Sequence, residues 1–325
     1  MKILVTGSAG HLGEALMRTF RERGIDAVGI DVLESPFTDV VGSIVDRAVV
    51  DGAMRGVTAV LHAATLHKPH VATHTRQAFV DVNVTGTLNL LEAAVANGVE
   101  SFIYTSTTST FGDALTPPRG SPAAWITEDV RPVPKNIYGV TKVAAEDLCQ
   151  LFWRNQKLPC LILRTSRFFP EVDDLPERAA AFDGDNLKVN ELLYRRVDIA
   201  DVVSAHVCAL ENASSLGFGR FIITATTPFE PGDAAELARD APAVLARRVP
   251  EYAAIYSRLG WKTLPALDRV YDNRRAREVL RWKPEYEFRR ALRAVASGGV
   301  WRSALAISIG SKHYHRRSEP PMPLT

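Results

Sequence analysis

Tyr138 and Lys142 stand four residues apart in the segment "NIYGVTK". In a helix that spacing raises both side chains on one face, a turn apart. A tyrosine phenol titrates near pH 10 and is a poor base at neutral pH. A neighbouring ammonium favours the phenolate, so the Tyr138 pKa is expected to fall. Such pairs are also common on solvated helices, so the spacing needs support. It comes from "YTSTTSTFG" over 104–112, where an apolar stretch runs into a row of hydroxyls. A hydroxyl at a strand end can hydrogen-bond the substrate oxygen that exchanges a proton. Thr107 is the expected group, with Ser106 and Thr108 beside it. Ser109 and Thr110 are expected only to satisfy backbone groups in the turn.

A second constellation lies near the amino end. "TGSAGHLG" sets Gly7, Gly10 and Gly13 between an apolar strand and a helical stretch. Glycines allow a tight turn and close approach of the backbone to a pyrophosphate. The helix that follows offers free N–H groups and partial positive charge to those phosphates. Asp31 ends the next strand, where a carboxylate can accept ribose hydroxyls and would repel a 2′-phosphate. The following "VLES" holds no arginine to receive such a phosphate. The expected cofactor is therefore NAD rather than NADP, whose oxidised nicotinamide would further favour a Tyr138 phenolate.

These groups need a scaffold. Strands are expected at 2–7, 26–31, 40–44, 59–65, 101–107 and 159–165. Helices are expected at 11–24, 75–97 and 136–157. Strand–helix alternation with continuously apolar strands predicts an α/β fold, a doubly wound parallel sheet covered on both faces. Residues 1–167 are assigned to the dinucleotide-binding unit. Residues 168–297 are assigned mainly to a small C-terminal substrate lobe, with 199–225 returning to the sheet. Residues 298–325, with Lys312, His313, His315, Arg316 and Arg317, read as a loosely ordered tail. Trp125–Ile126 reads either as a cap on the active site or as a packed loop.

Composition narrows the classes. In 325 residues, 39 Lys plus Arg against 37 Asp plus Glu leave a net charge of +2, which gives no electrostatic case for nucleic acid or an anionic membrane. Three cysteines without CxxC spacing suit a reducing compartment. No apolar run approaches a membrane span, and no signal-peptide pattern precedes the first strand, so a cytoplasmic protein is expected. His67, His70 and His74 have spacing that could suit a metal, but no carboxylate or cysteine accompanies them, and no metal is expected. His67 is expected at the substrate cleft instead. Arg178, Arg195 and Arg196 are candidates for a substrate anion.

Taken in order, "TGSAGHLG", "VLHAAT", "NVTGTLNLLEAA", "YTSTTSTFG", "YGVTK" and "VYDNRRAREVLRWKPEYEF" resemble the extended short-chain dehydrogenase/reductases. More narrowly, they resemble the NAD-dependent epimerase/dehydratase family, over residues 1 to about 295. The resemblance implies a Rossmann domain with a small substrate lobe, a homodimer built on the two long helices, and a sugar-like small-molecule substrate. It implies Tyr138 as acid/base, Lys142 on the nicotinamide ribose and Thr107 as hydroxyl partner. Along the cofactor it places Gly7, Gly10, His11, Leu12, Gly13, Asp31, Ser43, Ile44, Leu61, His62, Ala63, Ala64, Asn83, Thr105 and Thr165, besides Tyr138 and Lys142. Substrate contacts are expected from His67, Thr107, Thr108, Arg167 and Arg196. The chain departs from the family where Arg167 replaces a common Asn, where Asp198 replaces a His, and where 171–194 is short. No Asp–Glu pair follows Thr107, which argues against dehydration. These departures favour a small anionic sugar derivative over a full nucleotide-sugar. A UDP-glucose 4-epimerase-like enzyme and a non-catalytic NAD-binding protein are the alternatives.

Overall fold

The structure, a computed structural model, describes residues 1–171 and 180–312. Its strands are β1 (Ile3–Thr6), β2 (Ala27–Asp31), β3 (Val40–Val41), β4 (Ala59–His62), β5 (Ser101–Thr107), β6 (Ala124–Ile126), β7 (Cys160–Thr165), β8 (Phe218–Ile223) and β9 (Arg269–Tyr271). β1, β4, β5 and β7 are almost wholly buried because their apolar side chains alternate between two covered faces. Seven strands form one parallel sheet in the order β3-β2-β1-β4-β5-β7-β8. The direction in which successive strands are added across the sheet reverses between β1 and β4. That reversal opens a crevice beyond their carboxyl ends, where such sheets bind ligands.

Helices close both faces. On one side α1 (His11–Glu22) packs Leu12, Leu16 and Phe20 with Val202, Ala205 and Ala209 of the helix Ile199–Leu216. On the other, Leu90 and Leu91 pack with Ala145, Cys149 and Phe152. They belong to α4 (Gly86–Ala96) and α5 (Ile137–Gln156), which follow α2 (Arg47–Ala53) and α3 (Arg76–Val80). The expected helix 75–97 runs as α3, one π turn over Asp81–Thr85, and α4. Helix α2 was not foreseen. Its signal was Asp46, whose carboxylate accepts the N–H groups of Ala48 and Val49.

A separate apolar core, with Val189, Leu192, Leu237, Val244, Phe288 and Trp301, forms the lobe. β6 leaves the main sheet and pairs with β9, and the Trp125 indole donates to Asp272 at 3.1 Å, so this segment is packed structure within a two-stranded sheet.

The expectation of a loose tail is corrected for residues 301–312. Trp301 and Ile309 are buried, and Ser303 caps a helix over Ala304–Ile309. The Ser303 N–H donates to Asp198 at 3.0 Å. Beyond the helix, the Gly310 carbonyl accepts from His11 Nε2 at 3.0 Å, Ser311 donates to Glu171 at 3.0 Å, and Lys312 pairs with Glu14. Apolar anchors and these polar ties turn the segment into a strap across the start of α1. His313, His315, Arg316 and Arg317 lie outside the described residues.

Candidate active site

The glycine turn shows why each glycine is needed. Gly7 has φ +75°, and a Cβ there would lie 2.8 Å from the Ala64 nitrogen. A Cβ on Gly13 would lie 1.9 Å from the Gly7 carbonyl oxygen, so α1 rests directly on the turn. Gly10 caps α1 with no side-chain acceptor, which leaves the first-turn N–H groups of Leu12 and Gly13 to serve an anion. Asp31 accepts the N–H groups of Ala9 and Leu33, each at 3.0 Å. Its carboxylate therefore fixes the turn as well as ending β2. Ile44 packs on Gly86, where a Cβ would lie 2.7 Å from the isoleucine Cδ1, and Ser43 accepts the Val45 N–H at 3.2 Å. The cradle fits a dinucleotide: close backbone, free helix N–H groups and a carboxylate at the second strand.

Several side chains expected along the cofactor also bond within the protein. His62 sits between Thr6 Oγ1 (2.7 Å) and Thr87 Oγ1 (2.9 Å), and burial lowers its pKa well below the ordinary value. Asn83, in the π turn, accepts from Thr65 Oγ1 and the Leu66 N–H, both at 2.9 Å, and donates to the Leu66 carbonyl and Thr141 Oγ1, both at 3.0 Å. It fastens the loop after β4, with Ala63 and Ala64 at its start, to α5. Thr165 donates to the Ser106 carbonyl at 3.0 Å, and Leu61 lies in the core. Thr105 Oγ1 bonds His206 Nε2 at 2.8 Å. His206, which the sequence reading missed, bonds the Val202 carbonyl through Nδ1 at 2.8 Å, and burial lowers its pKa to about 4. It is neutral, with Nδ1–H donating and Nε2 accepting from Thr105.

Thr107, Tyr138 and Lys142 are brought together at the ends of β5 and α5. Asn136 caps α5 by accepting the Gly139 N–H at 3.0 Å. A Cβ on Gly139 would lie 2.9 Å from Pro134 Cβ and 3.1 Å from the Ser109 carbonyl, so α5 begins tight against the hydroxyl loop. This sets the Tyr138 phenol close enough to the Thr107 hydroxyl to feel it electrostatically. The expected fall in the tyrosine pKa is corrected. Burial pushes it up to about 12, and the nearby Thr107 hydroxyl only partly opposes that.

Lys142 carries the larger perturbation. Its side chain is 2% exposed, and Nζ donates to the Thr105 carbonyl at 2.6 Å and lies 4.1 Å from the centre of the Tyr104 ring. Burial lowers its pKa to about 7, opposed mainly by Glu146 one turn further along α5. Glu146 is a second residue that sequence reading passed over. Buried, it accepts from Ser106 Oγ at 2.6 Å, from Arg164 at 2.6 Å and from Arg220 at 3.2 Å. Tyr138, Lys142 and Glu146 follow one another at helical spacing, which could have revealed it.

The expected substrate contacts spread along the loop after β7. His67 stacks on Phe169 with ring centres 5.5 Å apart and meets His70 edge-on at 4.4 Å. Thr108 is buried in the hydroxyl loop. Arg167 donates to the Glu171 carbonyl at 3.3 Å. Arg196 is committed to Glu191 at 2.7 Å and to the Phe169 carbonyl at 2.9 Å, and Arg195 also pairs with Glu191. Arg196 therefore shapes the loop through internal bonds. Arg178 lies outside the described residues. Among the described residues, no three His, Cys, Asp or Glu groups come together as a metal site would need, and no helix is long and apolar enough to cross a membrane.

A buried Tyr–Lys pair facing a threonine, beside a dinucleotide cradle on a doubly wound sheet, defines a nucleotide-dependent oxidoreductase architecture. Residues 3–223 match the NAD dependent epimerase/dehydratase family, and the chain belongs to it; its cofactor is NAD. Over 322 residues the chain is 29% identical to a UDP-glucose 4-epimerase of Rhizobium meliloti, covering 88% of this chain and 93% of that protein. Over 166 residues it is 31% identical to an uncharacterized protein, y4nG, of Sinorhizobium fredii, covering 50% of this chain but 39% of that longer relative. Its fold resembles that of a short-chain dehydrogenase/reductase superfamily protein from Agrobacterium tumefaciens with bound NAD (TM-score 0.63, 25% identity, 91% of this chain and 96% of that one).

Proposed function

We propose that the protein interconverts the configuration of a secondary alcohol on a sugar that carries an anionic group. The observation that carries this reading is the buried Tyr138 phenol beside Thr107, with Lys142 a turn away. When bound, NAD supplies the reversible acceptance of hydride from the alcohol carbon. Thr107 holds the alcohol oxygen, and Tyr138 takes its proton and later returns one. The Lys142 ammonium supports the negative charge on the phenol oxygen while the proton is away. Reprotonation by Tyr138 of a keto sugar turned over in the pocket would complete epimerisation, whereas departure of the keto sugar would leave net oxidation. Arg167, at the loop where the family commonly has Asn, supports an anionic substrate. The same reading keeps a homodimer through α4 and α5, where Val95, Val140 and Leu151 lie exposed.

The test is a panel of sugar acids, sugar phosphates and UDP-sugars, followed by NADH absorbance and by product stereochemistry. Tyr138→Phe should lower turnover by about 10²–10⁴-fold with NAD content unchanged. Near-normal turnover by that variant would remove Tyr138 from the chemistry. Efficient conversion of UDP-glucose, insensitive to Arg167→Ala, would favour the ordinary UDP-sugar epimerase reading.

A further inference from the structure

Between the helix Gly184–Glu191, the loop after β7 and the strap lies a pocket of about 390 Å³, counting its open mouth. His11, Phe168, Lys188, Arg196, Trp301 and Arg302 are among the residues that line it, whereas Thr107, Tyr138 and Lys142 do not. His11 and Arg196 are committed to neighbours, but other donors are unspent. Trp301 is 5% exposed, yet its buried indole N–H has no hydrogen-bond partner among the described residues. The buried Nε of Arg302 has none either. Neither Arg302 nor Lys188 has an ion pair among the described residues.

The neighbouring acids are already occupied. Asp198, in the pocket wall, accepts from the Ala200 N–H and from both the N–H and hydroxyl of Ser303. Glu191 is held by Arg195 and Arg196. The Lys188 ammonium is destabilised by burial and then by the charges of Arg196 and Arg302, with Asp185 and Glu191 opposing. A buried donor without a partner is costly, and so is a pair of neighbouring cations. An oxyanion between them relieves both costs.

We propose that this pocket binds a phosphoryl group. Two uncommitted cations and an indole N–H suit a tetrahedral dianion better than a planar, singly charged carboxylate. The phosphoryl group belongs either to the substrate or to a separate small phosphorylated molecule. The proposal requires nothing of the Tyr138 chemistry.

The experiment uses the full chain at saturating NAD, so that the dinucleotide turn is filled. Inorganic phosphate and acetate are titrated by calorimetry. Phosphate should bind more tightly than acetate. Lys188→Met and Arg302→Met should each weaken phosphate about tenfold or more, and Trp301→Phe about fivefold. NAD content and unfolding temperature check that each variant is folded, with Lys188→Gln and Arg302→Gln as replacements for any that is not. Tyr138→Phe should bind phosphate as the parent does, which separates this proposal from the catalytic reading. Phosphate that raises KM at constant kcat points to a group carried by the substrate, and phosphate binding without competition points to a separate ligand. Equal phosphate affinity in the parent and all three variants would mean an adventitious ion only and overturn the proposal, as would acetate binding as tightly as phosphate.

Discussion

Replacing Lys142 with methionine should make the protein more stable while it stops working. The side chain is 2% exposed, and its pKa is lowered from 10.5 to about 7. In the unfolded chain the ammonium regains water and its ordinary pKa. Between about pH 7 and pH 10.5 the unfolded state therefore binds more protons than the folded one. Lys142 thus costs stability, the cost is fully present below about pH 7, and it fades as pH rises toward 10.5. At about 1.4 kcal/mol per pH unit, the cost near neutrality is about 4 kcal/mol. Methionine removes it but leaves the Thr105 carbonyl without its donor, which returns about 1 kcal/mol. The net gain should be about 3 kcal/mol at pH 7, shrinking as pH rises. Urea unfolding of both proteins at pH 6, 7, 8 and 9 measures it directly. A variant no more stable than the parent, or a stability gap that does not change with pH, would refute a desolvated ammonium at this site.

Other outcomes follow from the same geometry. Glu146→Gln should destabilise the fold by about 3–5 kcal/mol, because Arg164 is left as a buried guanidinium without its carboxylate; an unfolding curve close to the parent's would show that this pair contributes little. The same change should move the Lys142 pKa further down, since Glu146 is the main group holding it up, and the alkaline limb of the pH–rate profile should shift to lower pH. Asp31→Ala should weaken NAD and narrow its advantage over NADP. Calorimetry with both cofactors tests this, and equal affinities in the parent would contradict the carboxylate's selecting role.

Local patterns were legible in the sequence, and long-range commitments were not. The strands around β1, β4 and β5, the glycine turn and the helical Tyr138–Lys142 spacing are all encoded by neighbours within a few residues. β6 escaped because a three-residue strand shows little periodicity and its partner, β9, lies more than a hundred residues away. Residue type alone also says nothing of which polar groups bond within the protein. His62, Asn83 and Arg196 carry polar atoms suited to a ligand, yet each spends them on partners that only the folded chain brings near. The direction of the Tyr138 shift was misjudged for a related reason: helical spacing shows who the neighbours are, but says nothing of how much water burial removes.

The strap has a consequence for how the molecule is made. His11 and Gly310 are joined across 299 residues of sequence. At about 5–20 residues per second, a ribosome needs roughly 15–60 s to go from one to the other. Throughout that interval the sheet around β1 can assemble, but His11 and Glu14 lack the partners that cover them in the finished protein. The dinucleotide turn is thus shaped by some of the first residues of this sequence to be synthesised and covered by residues made long afterwards. A newborn chain therefore passes through a period in which its nucleotide cradle lacks this cover.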